Sequence, residues 1–151
     1  MDAMKFYVLN EKGTNHIQKE DFYIAEKKGD TYIFAIADGI GGLSEGAIAS
    51  KRAIETLQQN IQNKENVNLR EEFDRANQSV LLEREKQKTS MATTLVACII
   101  QENTGKTTIA HIGDSRAYII DDDIWRTKDH NLIQDLVDIG LLTDEEAFTH
   151  P

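Results

Sequence analysis

The sequence predicts an α+β protein, in which an antiparallel β-sheet or sandwich has helices packed outside it. Short apolar runs separated by turn-forming residues are typical of β-hairpins, and they occur towards both ends of the chain. Between them, the apolar spacing changes to that of amphipathic helices over two long segments. Because the strands are grouped and do not alternate with helices, hairpins are favoured over parallel βαβ units.

The first group of strands leads to an acidic residue followed by glycines. Strands are predicted at 6–9, 20–25 and 32–37, with a turn signal at 27–30. The third strand is apolar on both alternating faces, which predicts burial on both faces. It ends at Asp38, and Gly39, Gly41 and Gly42 follow. A carboxylate beside glycines suits a hard cation or a phosphate, with a plain strand-to-helix turn as the alternative.

Two amphipathic helices follow, and both are predicted to be packing elements. Ser44 is placed to cap the first helix, and polar residues at 60–66 separate it from the second, which extends to about residue 86. By their spacing, one face of the first helix is formed by Ser50, Ile54, Leu57 and Ile61, and one face of the second by Leu69, Phe73, Ala76 and Val80.

The last third of the chain predicts strands and then short helices. Strands are expected at 93–100, 107–112 and 117–120, with a short piece at 124–126. The acidic run at 121–123 is interpreted as the turn between the last two strands. Short helices are expected at 131–139 and 143–148, the second beginning with a capping box formed by Thr143 and Glu146.

Size and charge exclude several classes of protein. A chain of 151 residues is predicted to form one domain. Its net charge of −9 argues against non-specific nucleic-acid binding. No apolar run is long enough for a transmembrane helix, and the N-terminus lacks signal-peptide features. Cys98 is the single cysteine and is expected in the core, which together with the other features favours a cytoplasmic protein.

Acidic residues at predicted strand ends are the candidate functional residues. These are Glu20, Asp21, Asp38 and Asp114, and their carboxylates would meet at one end of the sheet if the strands were adjacent. Oxygen ligands favour Mg²⁺ or Mn²⁺ over zinc, and such a cluster suits metal-assisted hydrolysis. The alternative is that these acids are simply solvated. A weaker alternative is an esterase that uses Ser115.

Four ordered motifs then resemble the metal-dependent type 2C protein phosphatases in their bacterial form. Residues 37–42, with Gly46, Ala49 and Ser50, resemble the family's Asp-Gly-x-Gly-Gly motif and following helix. Residues 91–95 resemble its Met-Gly-Thr-Thr segment, and 110–118 its Gly-Asp-Ser-Arg motif. Residues 127–132 resemble its Asp-His-Ser-Leu segment, and 137–151 are similar to its flap.

This resemblance implies a β-sandwich flanked by helices that hydrolyses phosphoserine and phosphothreonine in proteins. It implies two or three Mn²⁺ or Mg²⁺ ions in the complete domain, with a hydroxide between metals attacking phosphorus. Asp38 would bridge two metals, and Gly39 would offer its carbonyl to one. Asp21, with Glu20, would hold metal-bound water, and Asp114 would help to bind a third metal. Phosphorylated proteins are the implied partners, with a cognate serine/threonine kinase as a further candidate; nucleic acid and membrane are not expected.

Two departures from the family pattern qualify these expectations. His16 stands where the family has the Arg that binds the substrate phosphate, so His16 is the candidate substrate-binding and catalytic residue beside Asp38. Family members continue beyond Pro151 with further metal-binding aspartates. Residues 1–151 are therefore predicted to be the N-terminal portion of a single catalytic domain, with a flap-like segment at about 130–151. The phosphatase activity of this portion alone is expected to be weak or absent. The alternative is a non-catalytic pseudophosphatase or regulatory binding module.

Overall fold

In the computed structural model, which describes residues 4–11, 19–41, 45–61 and 67–149, a twisted antiparallel sheet carries two long helices. Seven strands and four helices lie in these ranges. In chain order they are β1 (Asp21–Lys28), β2 (Thr31–Gly41), α1 (Glu45–Ile61), α2 (Leu69–Gln87), β3 (Met91–Thr93), β4 (Leu95–Gln101), β5 (Thr107–Ile112), β6 (Tyr118–Ile120), β7 (Ile124–Arg126), α3 (Leu132–Asp138) and α4 (Asp144–Thr149).

The main sheet has the order β1-β2-β4-β5, and β3 pairs with the far end of β2. Strands β6 and β7 form a separate two-stranded sheet. Every pairing is antiparallel, and β1 and β2 form the predicted hairpin through a turn at Gly29 and Asp30. The α+β prediction is therefore confirmed, with hairpins as the dominant connection.

One face of the main sheet packs against α1 and α2 and forms the core. Leu57 and Ile61 of α1 are almost fully buried there, as the helical spacing predicted. The sheet contributes small and branched side chains, among them Ile33, Ala35 and Ala97. This packing fixes α1 directly behind the end of β2, where Asp38 lies.

The opposite face of the sheet is covered only in part, so the prediction that residues 32–37 are buried on both faces is wrong. Ile36 is 56% exposed, because no layer among the described residues packs over this end of the sheet. Tyr32 is buried by Phe6, whose ring meets those of Tyr32 and Phe34 edge-on. Cys98, expected in the core, is half-buried on this same face.

Three of the predicted strands differ clearly from the observed structure. Residues 6–9 form no strand, because they make no ladder with any described strand, although Phe6 packs on the sheet. Strand β2 continues past Asp38 to Gly41, because Gly39 to Gly41 pair with β3. The strand predicted at 93–100 is interrupted at Thr94, whose N–H bonds the carbonyl of Asp38 and not a ladder partner of β4.

The helices agree with the sequence prediction, and side chains cap their N-termini. Asn68 caps α2 by accepting from the N–H of Arg70, and Asn131 caps α3 by accepting from that of Gln134. The predicted capping box is present, since Thr143 and Glu146 hydrogen-bond reciprocally. The predicted cap Ser44 lies outside the described residues. None of the described helices is long and apolar enough to span a membrane.

Candidate active site

Asp21 and Asp38 face each other across the β1–β2 hairpin. Asp21 is the first residue of β1, and the antiparallel register places it directly opposite Asp38. Side chains opposite each other in a register share one face of a sheet and lie close together. The charge of Asp21 therefore acts directly on the carboxyl group of Asp38.

Burial raises the pKa of Asp38, and three neighbouring carboxylates add to the effect. Asp21 contributes most of these through its charge and its hydrogen bond, followed by Asp114 and Glu20. The four acids predicted from strand ends therefore do converge on one end of the sheet. Within the described residues, however, no three carboxylate, imidazole or thiolate side chains are grouped closely enough to hold a metal ion.

Two glycines allow helix α1 to approach the end of β2. A Cβ on Gly39 would lie 2.1 Å from the carbonyl oxygen of Gly46, and a Cβ on Gly46 would lie 2.8 Å from that of Gly39. Both positions therefore exclude a larger residue unless the helix moves. The contact holds the backbone beside Asp38 against the first turn of α1.

The carbonyl of Glu20 is fixed from two directions. The N–H of Gly39 donates to it at 3.2 Å, and the hydroxyl of Ser50, which is fully buried in α1, lies in hydrogen-bond contact with it. This arrangement connects the residue before β1 with β2 and with the helix behind them. The position of the Glu20–Asp21 pair is thus set by tertiary hydrogen bonds.

Asp114 lies in the loop that joins β5 to β6, and an ion pair holds that loop. Arg116 donates to both carboxylate oxygens of Asp129, at 2.7 and 2.6 Å, in a bidentate pair. The guanidinium of Arg116 lowers the pKa of Asp129, which is almost fully buried. The N–H of His130 also donates to the carbonyl of Gly113, so residues 129–130 support both sides of Asp114.

The remaining predicted candidates have separate outcomes. His16 lies outside the described residues. Ser115 has its hydroxyl 2.6 Å from that of Thr94, whereas the Nε2 of His111 bonds the carbonyl of Lys128, so this imidazole is not placed as a base for a serine nucleophile. The esterase alternative therefore has no support from these two side chains.

The residues that position the acids were not predicted from the sequence. Thr94, Ser50 and the Arg116–Asp129 pair were not assigned any role from the residues themselves. All four residues lie in motifs that carried the family resemblance, and Ser50 also lies on the predicted inner face of the first helix. Thr94 and Ser50 are partners of residues far away along the chain.

The oxygen groups around Asp38 agree in part with those that bind a hard divalent cation. The side chains that act on Asp38 are carboxylates, which are ligands that Mg²⁺ and Mn²⁺ prefer. The described neighbours that shift the pKa of Asp38 are all acidic, so a bound cation would reduce the repulsion among them. Asp21 and Asp38, with Asp114 and Glu20 acting on the same carboxyl group, can therefore provide part of a cation site.

Comparison with known proteins identifies the family. A family model described as Protein phosphatase 2C matches residues 7–135, most of the chain. A curated relative, the serine/threonine phosphatase Stp of Listeria welshimeri, is 32% identical over 148 residues. This alignment covers 90% of the chain and 58% of the relative, so the chain spans little more than half of that phosphatase. The chain belongs to the protein phosphatase 2C family.

Solved structures of bacterial phosphatases have the same fold. The serine/threonine phosphatase Stp1 from Staphylococcus aureus superposes with a TM-score of 0.84 at 29% identity, over 95% of this chain and 60% of that one. The catalytic domain of the phosphatase PstP, solved in complex with two manganese ions, superposes with a TM-score of 0.76 at 30% identity, over 91% and 60%. The fold described above thus corresponds to a part of the phosphatase domain.

Proposed function

We propose that this chain is part of a metal-dependent phosphatase that hydrolyses phosphoserine and phosphothreonine in proteins. The carboxyl pair of Asp21 and Asp38, with the raised pKa of Asp38, is the observation that carries this proposal. Membership of the phosphatase family supports it, as does the fact that the relatives are serine/threonine phosphatases. The activity proposed is that of the whole domain, of which the chain spans a part.

In this proposal, Asp38 and Asp21 hold divalent cations together with the Gly39 carbonyl. Asp114 and Glu20 add negative charge to the same region. When bound there, Mn²⁺ or Mg²⁺ would lower the pKa of a water molecule and offset charge on the phosphoryl oxygens. Manganese is the first metal to test, because the PstP structure contains it. The hydrogen bonds of Gly39 and Ser50 to the Glu20 carbonyl hold the carboxylates in place. The contact with Gly46 fixes the backbone of Gly39 beside Asp38.

A non-catalytic relative is the second candidate function. No three potential metal-binding side chains are grouped among the described residues, and His16 stands where the family has an Arg. Both observations favour a module that keeps the fold and binds phosphorylated or other partners without turnover.

Phosphate release from a phosphothreonine peptide tests the two candidates. For the protein that carries this chain, we expect release that needs Mn²⁺, stops with EDTA and falls by about 100-fold or more in Asp38→Asn. Asp74→Asn, which removes an exposed carboxylate from α2, is the control and should keep wild-type activity. Peptide binding without Mn²⁺-dependent release would establish the non-catalytic candidate. Equal activity of Asp38→Asn and wild type would contradict the assigned role of Asp38.

A further inference from the structure

Thr94 is a buried residue whose backbone and side chain both contact Asp38. It lies between β3 and β4 and is 2% exposed. Its N–H donates to the carbonyl of Asp38 at 2.9 Å, and its Oγ1 accepts from the N–H of Asp38 at 3.0 Å. Thr93 adds a third bond, from its hydroxyl to the same carbonyl, at 2.9 Å. The peptide groups on both sides of the Asp38 side chain are therefore fixed.

The other side of Thr94 contacts the loop that carries Asp114. Its hydroxyl lies 2.6 Å from that of Ser115, the residue after Asp114. Its methyl group lies against Gly113, the residue before, where an added Cβ would be 2.7 Å from the Thr94 Cγ2 atom. Gly113 also has a φ of +96°, which favours glycine. Thr94 therefore touches the residues on either side of Asp114.

The hydroxyl of Thr94 hydrogen-bonds to both segments that carry carboxylates, to Asp38 in β2 and to Ser115 in the loop of Asp114. A threonine hydroxyl has one donor and two acceptor positions. Because it accepts from the N–H of Asp38, it still has a donor and an acceptor position for the Ser115 hydroxyl. Asp38 and Asp114 are both acidic and repel each other, so their separation depends on such neutral links and not on mutual attraction.

We propose that Thr94 is a positioning residue, whose hydroxyl sets the placement of Asp38 relative to the Asp114 loop for cation binding. This inference rests on the proposed function, because it concerns the same metal site. Thr94 is not a ligand; it acts through the backbone of Asp38 and through Ser115. Its methyl group has a separate role, which is to pack against Gly113.

A matched pair of substitutions separates the hydroxyl from the methyl group. Thr94→Val keeps the shape and loses the hydroxyl, whereas Thr94→Ser keeps the hydroxyl and loses the methyl. Mn²⁺ affinity is measured by calorimetry on the protein that carries this chain, and the melting temperature in EDTA shows whether each variant folds. We expect Thr94→Val to bind Mn²⁺ about 10-fold more weakly, as is typical for residues that orient metal ligands. Thr94→Ser should bind within about 3-fold of wild type although it loses packing at Gly113.

Two further variants complete the experiment. Ser115→Ala breaks the link from its other end without touching Asp38, so it should also weaken Mn²⁺ binding, and it carries the test if Thr94→Val does not fold. Thr108→Val makes the same change at an exposed position near the other end of β5 and should leave Mn²⁺ affinity unchanged.

The outcomes distinguish this inference from the proposed function. Wild-type affinity in both Thr94→Val and Ser115→Ala, with Asp38→Asn abolishing binding, would overturn the role of Thr94 alone. A loss of affinity in Thr94→Ser equal to that in Thr94→Val would also overturn it, because the methyl group would then be the cause. If wild type and Asp38→Asn bind Mn²⁺ equally, Asp38 is not a metal ligand, and the proposed function is contradicted before any role of Thr94 is tested.

Discussion

At the scale of single residues, Asp38 is placed where it destabilises the metal-free fold. Burial and the charges of Asp21, Asp114 and Glu20 raise the pKa of Asp38 above its ordinary value. A carboxyl whose pKa is raised in the folded state stabilises the fold at low pH. That contribution is lost as the pH rises through the folded pKa. At neutral pH the ionised Asp38 is therefore unfavourable unless a cation is bound.

We expect Asp38→Asn to raise the melting temperature of the chain in EDTA at pH 7. The amide keeps the shape of the carboxyl and removes its charge from the acidic cluster. The gain should shrink as the pH falls through the raised pKa of folded Asp38 and vanish below its ordinary value of 3.8, where the carboxyl is neutral in the folded and unfolded chains alike. Melting curves at several pH values, with Asp74→Asn as the surface control, test this. A lower melting temperature for Asp38→Asn at pH 7 in EDTA would contradict it.

The sequence indicated the acids of this site but not the groups that hold them. Asp38 could be found because a charged residue directly after an apolar run, beside glycines, is a local pattern. Thr94 and Ser50 carry no such pattern, since their partners Asp38 and Glu20 lie 56 and 30 positions away. Hydrogen bonds at that separation exist only once the sheet and α1 have packed.

At the scale of secondary-structure elements, the Arg116–Asp129 pair connects the loop after β5 to the segment before α3. Asp129 is almost fully buried and also lies 3.6 Å from Arg126, so both cations face one carboxylate. Because charged hydrogen bonds to a buried group are strong, Asp129→Asn should lower the free energy of unfolding by about 2 kcal/mol at pH 7.

The pH dependence of that loss follows from the pKa of Asp129, which Arg116 lowers below its ordinary value of 3.8. A carboxylate with a lowered folded pKa stabilises the fold above its unfolded pKa and loses this contribution as the pH falls through the folded one. The difference between wild type and Asp129→Asn should therefore be constant from neutral pH downwards and narrow only below pH 3.8. Urea unfolding at each pH measures it.

Asp138→Asn is the matched control for this measurement. Asp138 also pairs with a cation, Lys128, at 2.6 Å, but both side chains are well exposed. Exposed ion pairs contribute little to stability, so this variant should unfold almost as wild type does. If both substitutions lower the free energy of unfolding equally at pH 7, the Arg116–Asp129 pair stabilises the fold no more than an exposed ion pair does.

Sequence periodicity predicted the elements better than their ends. Helices α1 and α2 were predicted because a regular apolar face extends over several turns. The extension of β2 to Gly41 was not predicted, because glycines indicate a turn in the local sequence. Only the pairing with β3 keeps these glycines extended. Residues 6–9 were predicted as a strand because they form an apolar run, but they pair with none of the described strands.

At the scale of the whole molecule, the main sheet is covered differently on its two faces. The alternation of residues 32–37 is apolar on both sides, and the sequence alone does not indicate which side faces the helices. In the structure, Ile33 and Ala35 face α1 and α2, whereas Ile36 lies on the opposite face. Helices pack on the first face because their apolar sides provide a matching surface there.

Two substitutions of equal size test this layered arrangement. Leu57→Ala and Ile36→Ala each remove the same number of carbon atoms. Leu57 is fully buried between α1 and the sheet, so its truncation should lower the free energy of unfolding by about 2–5 kcal/mol. Ile36 is 56% exposed, so its truncation should remove about 1 kcal/mol or less. Urea unfolding of the isolated chain, at two protein concentrations, measures both. Equal losses would show that the Ile36 face is as well covered as the core, and a loss that depends on concentration would identify a second copy of the chain as the cover.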